Sequence, residues 1–395
     1  MTTTIDNEQK TLNVPNLRFP EFEGEWEETR LKEISKFSKE RLNSIELSCS
    51  NYVTTENMLQ DYKGIVSATN LPTNTNVVKF SKGDVLLSNI RPYLKKVWYA
   101  DKNGGCSADV FVFKALPICD SNFLHHVIAN DRFIKFVMGG AKGLKMPRGD
   151  KEQMITYKVG LPCIEEQKKI ANLFSLLDER ISTQNKIIED LKKLRSAIID
   201  YAIGSLDTNF MKFGSVYETA GEGGTPTTSN TSFYDNGKIP FIKIGDLKQK
   251  YLIGNKDFIT ELGLQKSSAW LVPTHSILFS NGATIGEITI TTYPVCTKQG
   301  ILGIVPKANI DVEFLYYFMS SSYFKKAVSR IITEGTMKTA YLKDIDNILC
   351  PIPTKEKQLE IAKVPSALNF KIDSEQSILR LLYAQKQYLL HQMFI

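Results

Sequence analysis

The feature that most constrains this chain is a long internal repeat. The stretch Leu161-Pro162-Cys163-Ile164-Glu165-Glu166-Gln167-Lys168-Lys169-Ile170-Ala171 is answered by Ile352-Pro353-Thr354-Lys355-Glu356-Lys357-Gln358-Leu359-Glu360-Ile361-Ala362. The proline, Glu, Gln, Ile and Ala coincide at one offset, and that offset also lays Asp120, Phe123, Leu124 and Phe133 on Asp311, Phe314, Leu315 and Phe324. Val85-Leu86-Leu87-Ser88-Asn89 matches Ile277-Leu278-Phe279-Ser280-Asn281 with a shift of one residue, and Cys106-Ser107 answers Cys296-Thr297. A collinear series of this kind, with a period far beyond that of a solenoid, describes two copies of one domain, each followed by a helix. A chain of 395 residues is also longer than one compact domain usually is.

Within each copy the signals are mostly β. Val77-Val78-Lys79-Phe80, Val85-Leu86-Leu87, Val110-Phe111-Val112-Phe113, Phe241-Ile242-Lys243-Ile244 and Ile301-Leu302-Gly303-Ile304-Val305 are short, branched or aromatic, and bounded by turn formers. A helix is expected over residues 122–137 in the first copy and 312–330 in the second, from apolar spacing near 3.6. Each copy therefore reads as α+β.

Residues 165–203 differ in kind. Phe174, Leu177, Ile181, Gln184, Ile188, Leu191, Arg195, Ile198 and Ala202 follow the three–four step of a coiled-coil seam. In the second copy Pro365, Leu368, Ile372, Glu375, Leu379, Leu382, Lys386, Leu389 and Met393 do the same, and Pro365 is expected to kink or delay that helix. An antiparallel register that joins every a layer to a d layer sets Arg195 against Glu375 and Gln184 against Lys386, so both polar seam positions find partners. The competing reading keeps two separate amphipathic helices, each lying on its own domain.

Evidence for catalysis is missing from the sequence. His125, His126, His275 and His391 form no metal-binding motif, and the first two fall where the second copy has Tyr316 and Tyr317, which favours packing. Gly221-Glu222-Gly223-Gly224-Thr225-Pro226 lacks the strand-then-helix context of a phosphate loop, and no Pro-Pro occurs for a methyltransferase tetrad. The six cysteines show no Cys-x-x-Cys pair, so reduced thiols are expected. No apolar run is long enough for a membrane span and the first ten residues are polar, which points to a cytoplasmic protein. A net charge of +6 permits nucleic-acid binding without requiring it.

Loops suited to reading DNA do exist. Ser88, Asn89, Arg91, Tyr93, Lys95 and Lys96 mix hydroxyl, amide, guanidinium and ammonium donors with a ring. Lys145 and Arg148, and in the second copy Thr336 and Lys338, sit in repeat-related loops with a basic residue beside Met. Ser280 and Asn281 repeat Ser88 and Asn89, and Thr225 and Lys243 open the second copy. Arg suits guanine, Asn suits adenine and Lys neutralises phosphate.

The order of these parts resembles the specificity subunits of Type I restriction–modification systems. The resemblance rests on the duplicated Pro-x-x-x-x-Gln-x-x-Ile-Ala element, on Gly224-Thr225-Pro226-Thr227-Thr228 followed by residues 239–247, on residues 52–59, and on the leader at residues 15–26. It implies an N-terminal arm (1–23), a target-recognition domain (24–161), a central helix (162–207), a second recognition domain (208–352) and a distal helix (353–395), the helices forming an antiparallel coiled coil. It also implies a non-catalytic chain that binds double-stranded DNA at a bipartite site. Two methylation subunits would carry S-adenosylmethionine and modify adenine, and restriction subunits would use ATP and Mg; no cofactor or metal is expected on this chain. The alternatives are the recognition part of a self-contained methyltransferase or nuclease, and a coiled-coil scaffold that does not bind DNA.

Overall fold

A computed structural model describes residues 13–143, 145–332 and 338–395. The chain divides into two compact units, one running to Thr183 and taking in Leu379–Ile395, the other spanning Gln184–Ile378.

In the first unit Glu27–Arg30 pairs antiparallel with Lys158–Leu161, tying the ends of the domain together. A four-stranded antiparallel sheet follows the order Ser35–Phe37, Val110–Ala115, Val85–Ser88, Val97–Tyr99. A second sheet places Arg41–Asn43, Asn76–Phe80, Gly104–Cys106 and Tyr52–Val53 side by side, the last pair parallel.

The second unit repeats this plan. Phe210–Lys212 pairs with Leu349–Pro351. A five-stranded sheet orders Tyr217–Glu222, Ile301–Pro306, Ile277–Ser280, Ile288–Thr291 and Tyr251–Leu252. A three-stranded sheet holds Asp257–Ile259, Ile239–Ile242 and Cys296–Thr297, again ending in a parallel pair. The expected strand at residues 241–244 is thus displaced toward the N-terminus, because Asp246 accepts from the Lys243 backbone N–H and opens a 3₁₀ turn at Ile244.

The inner strands Val85–Ser88 and Ile277–Ser280 are buried throughout. Alternating side chains enter different cores: Val85 and Leu87 join one cluster and Leu86 another, while Ile277 and Phe279 join one and Leu278 another. Period-two geometry thus serves two apolar cores at once, so these strands read as continuous apolar runs.

Each single helix expected after the sheet is two. Ser121–Ile128 and Asp131–Gly139 are separated by Asn130, which caps the second; Val312–Ser320 and Ser322–Ile331 are separated by Ser321, which does the same. A side-chain oxygen that accepts from the amide two or three residues on competes with helix continuation, and that local bond breaks the apolar pattern into two helices.

The long helices span Ile164–Gly204 and Lys355–Met393. Pro365 lies inside the second, which begins well before it, so the expected delay does not occur. The duplicated glutamines fasten each helix start. Gln167 accepts from the Asp120 N–H at 2.8 Å and donates to the Ile118 and Pro162 carbonyls at 3.1 and 2.8 Å. Gln358 accepts from the Asp311 N–H at 2.7 Å and donates to Asn309 and Pro353 at 3.2 and 2.9 Å. One buried amide side chain therefore joins the helix start to the loop that caps the domain's own helix, in both units.

The polar seam positions are occupied differently from the expected register. Within the second unit Gln184 donates to the Glu375 carboxylate, and Arg195 to the Asn369 side chain. Within the first, Lys386 meets Asp178 at 2.5 Å. Arg195 therefore does not take Glu375, nor Gln184 take Lys386; Arg195–Asn369 and Lys386–Asp178 lie about one heptad from the expected pairs. A slip of one heptad preserves every a and d layer, so apolar patterning alone could not exclude it.

Candidate nucleic-acid interface

In the first unit the inner strand ends at Ser88, and the chain turns through residues 89–96. Arg91 and Lys95 flank the short 3₁₀ turn Pro92–Leu94, and both are left-handed, with φ of 51° and 54°. Two non-glycine residues in that region within one turn store strain, which concentrates at functional loops. The Arg91 N–H donates to the Pro147 carbonyl at 2.8 Å, and Lys142 and Arg148 exchange backbone bonds of 2.9 Å that close the neighbouring loop. Arg91, Tyr93, Lys145 and Arg148 are exposed there. Arg148 lies 3.3 Å from Asp109, an exposed pair that contributes little to stability and leaves the guanidinium available.

Lys95 and Lys96 are engaged elsewhere. Lys95 pairs with Asp131 at 2.8 Å, and Lys96 donates to the Thr55 carbonyl at 2.6 Å. Nearby, a cleft of about 440 Å³ is lined by Tyr52, Thr54, Asn57, Asn70 and Leu71.

The second unit gathers its polar groups around a cleft of about 480 Å³ lined by Glu222, Thr225, Lys243, Lys298, Gln299 and Tyr341. Glu222 accepts from the Gly300 N–H at 2.9 Å, and Lys243 pairs with Asp257 at 2.7 Å. Thr225 Oγ1 accepts from the Gln299 N–H at 3.4 Å. Gly223 owes its identity to packing: a Cβ there would stand 2.2 Å from the Thr297 carbonyl oxygen. Lys338 is exposed, and Thr336 lies outside the described residues.

Of the candidates, then, the structure brings together Ser88, Asn89, Arg91 and Arg148 in one unit, and Thr225 and Lys243 in the other. Ser88, Ser280 and Asn281 are 1%, 0% and 2% exposed and present no surface to a duplex. Their hydroxyl and amide groups point into the fold, because the inner strand that carries them is covered on both faces. Glu222, Lys298, Gln299 and Tyr341 were not identified from the sequence. They come from a strand end at Glu222, the turn at Lys298 and Gln299, and the segment at Tyr341, and share no local motif, so only tertiary structure assembles them.

The paired histidines pack, as their alignment with tyrosines suggested. His126 is buried against Phe174, with ring centroids 5.0 Å apart, and His125 lies 5.4 Å from Tyr99. Burial, with a smaller contribution from Lys386, lowers the His125 pKa to about 3, and His126 moves in the same direction. Among the described residues no group of three His, Cys, Asp or Glu side chains is placed to hold a metal ion.

The model of the Type I restriction modification DNA specificity domain matches residues 23–193 and again 206–382. The chain belongs to this family. It is 24% identical over 384 residues to the Type I restriction enzyme MjaVIII specificity subunit of Methanocaldococcus jannaschii, covering 90% of this chain and 88% of that one. The MjaIX specificity subunit of the same organism is 31% identical over 175 residues, 43% of this chain and 39% of the relative. The Escherichia coli EcoR124I/EcoR124II specificity subunit is 24% identical over 223 residues, 52% of this chain and 54% of its own. The chain thus spans about half the length, or less, of these last two relatives. The fold is shared with the S subunit of the Type I restriction–modification system from M. genitalium, at a TM-score of 0.60, 17% identity and coverage of 97% and 99%. It is shared equally with a chain from a Type I R-M system complex, at 0.58, 18%, 92% and 96%. The two matches to the specificity domain fall one on each copy of the repeat. Among the described residues no helix is long and apolar enough to cross a membrane.

Proposed function

We propose that this chain is the DNA-reading subunit of a Type I restriction–modification enzyme, acting in the cytoplasm and carrying no catalytic site of its own. Each unit reads one half of a bipartite duplex site through its exposed loops. Two methylation subunits bearing S-adenosylmethionine modify adenine at the chosen site, and restriction subunits using ATP and Mg cut. The two long helices pair as an antiparallel coiled coil that fixes the distance between the half-sites; the Gln184–Glu375 and Lys386–Asp178 contacts within the respective units support that pairing.

The observation that carries the reading is the duplication itself. Two copies of one specificity domain repeat the same buried inner strand and the asparagine that follows it, as a protein reading two half-sites requires. The chain alone should bind DNA weakly and without sequence preference, with an affinity that falls steeply with salt, since phosphate contacts dominate non-specific binding.

The decisive experiment co-expresses the chain with its cognate methylation subunit and maps methylated adenines. A bipartite methylated sequence is expected, and exchange of residues 24–161 for those of another family member should rewrite one half only. Rewriting of both halves, or methyl transfer by the purified chain alone, would refute the assignment.

A further inference from the structure

Two of the candidates, the half-buried Asn89 and the buried Asn281, share an arrangement that stability does not explain. Asn89 donates its backbone N–H to the Asp109 carbonyl at 2.8 Å, and its own carbonyl accepts from Gly149 at 3.3 Å. Asn281 donates to the Gly300 carbonyl at 3.0 Å and accepts from Ala340 at 2.9 Å. The partners correspond through the repeat, as do the asparagines. In each unit one residue at the end of the inner strand therefore ties together the segment leading into a neighbouring strand and the end of the basic loop. In the second unit the side chain adds a third tie, Nδ2 donating to the Ala340 carbonyl at 3.2 Å.

The side-chain oxygens are the second observation. Asn89 Oδ1 and Asn281 Oδ1 are both shielded from solvent, and neither has a hydrogen-bond partner. A buried, unpaired carbonyl oxygen costs stability, and unpaired groups of this kind call for a reason other than stability. The same unfavourable feature stands at the same point of both copies.

The loops that Asn89 and Asn281 hold carry the exposed groups of the interface. Asn89 lies two residues before Arg91, and Gly149 follows Arg148. Ala340 separates Thr339 from Tyr341, both of which line the second unit's cleft together with Gly300. The asparagine and the reading groups are thus joined by one or two residues of backbone.

We propose that Asn89 and Asn281 are positioning residues for sequence readout, one per half-site. Each acts through the loops it ties, setting where Arg91 and Arg148, or Thr339 and Tyr341, meet the base edges, and does not touch DNA itself. This rests on the DNA-reading function proposed above.

The test uses the full chain co-expressed with its cognate methylation subunit, with methylated sites resolved by half-site. Asn281→Ala should admit altered bases in one half-site by about fivefold, the factor carried by roughly one hydrogen bond's worth of loop order; Asn89→Ala, which leaves both backbone ties in place, should act on the other half only and by a smaller factor. Asn281→Asp, which keeps the shape but lacks the Nδ2 donor, should relax the same half as Asn281→Ala and stands in if the alanine variant does not fold. Gln358→Leu is the control for mere destabilisation, because Gln358 is buried in the same unit and makes three side-chain hydrogen bonds. Unchanged half-site preference in the asparagine variants, relaxation of both halves together, or equal relaxation by the glutamine control would overturn the proposal. If the wild-type complex itself yields no bipartite sequence, the functional reading fails. If it does and the asparagine variants match it, this inference alone fails.

Discussion

Replacing Gln358 by leucine removes three hydrogen bonds at one stroke, since its side chain accepts from the Asp311 N–H and donates to the Asn309 and Pro353 carbonyls. The residue is 1% exposed, so its partners are left in a shielded pocket that leucine fills without satisfying them. Each such bond contributes about 1 kcal/mol net, and stranded partners raise the penalty, so a loss of about 2–4 kcal/mol is expected. For a unit of this size that corresponds to a fall in melting temperature of roughly 4–16 °C. Gln358→Glu should be at least as damaging, because it keeps an acceptor for Asp311 but turns a carboxylate oxygen toward two carbonyls. Urea unfolding combined with hydrogen exchange locates the effect: protection should drop across residues 309–316 and in the first turns of the distal helix. Gln167→Leu should produce the matching loss around residues 118–124. A change below about 0.5 kcal/mol, or loss of protection elsewhere only, would refute the view that this glutamine fastens helix to domain.

Three further outcomes follow from particular contacts. Arg18 holds Glu166 with two hydrogen bonds of 2.8 and 2.7 Å, and the carboxylate is 1% exposed, so Arg18→Met should destabilise by about 3–5 kcal/mol, while adding Glu166→Met should restore much of it in denaturant titrations. Folding keeps His125 and His126 neutral well below their ordinary pKa of 6.5, so the unfolded state takes up protons that the folded state refuses, and stability is present above pH 6.5 and lost as the pH falls toward about 3. His126→Phe should flatten that acid limb, with a slope change of up to about 1.4 kcal/mol per pH unit, measured by urea unfolding at a series of pH values. In a double-mutant cycle Gln184→Ala and Glu375→Ala should be coupled, whereas Arg195→Ala and Glu375→Ala should be additive within error, the reverse of what the expected register requires.

Much of the architecture was legible because it is written in apolar periodicity and written twice. The inner strands, the long helices and the correspondence between Pro162 and Pro353 all follow from comparing the chain with itself. The helix breaks at Asn130 and Ser321 were less visible, since a capping residue differs from an ordinary polar position only when its side chain turns back on the chain. The role of Gln167 and Gln358 was hidden for a related reason: the repeat marks the residue, but its partners at Asp120 and Asp311 lie far away in sequence.

The heptad slip and the misplaced reading residues come from two different kinds of degeneracy. A seam with apolar residues at every a and d is nearly invariant to a shift of seven, and only its polar members break the tie. Here Lys386 and Arg195 take Asp178 and Asn369, which lie off the seam as it was drawn, so choosing partners from seam positions alone missed them. The interface fails differently. Donor chemistry in sequence says what a side chain could bind, while burial decides whether it can be reached. Ser88 and Ser280 carry suitable hydroxyls, yet they close an inner strand covered on both faces, and Tyr341 and Lys298 become candidates only because distant loops meet. A residue that ends a buried strand and opens an exposed loop is therefore better placed to aim its neighbours than to contact a ligand, and Asn89 and Asn281 occupy that position in both units.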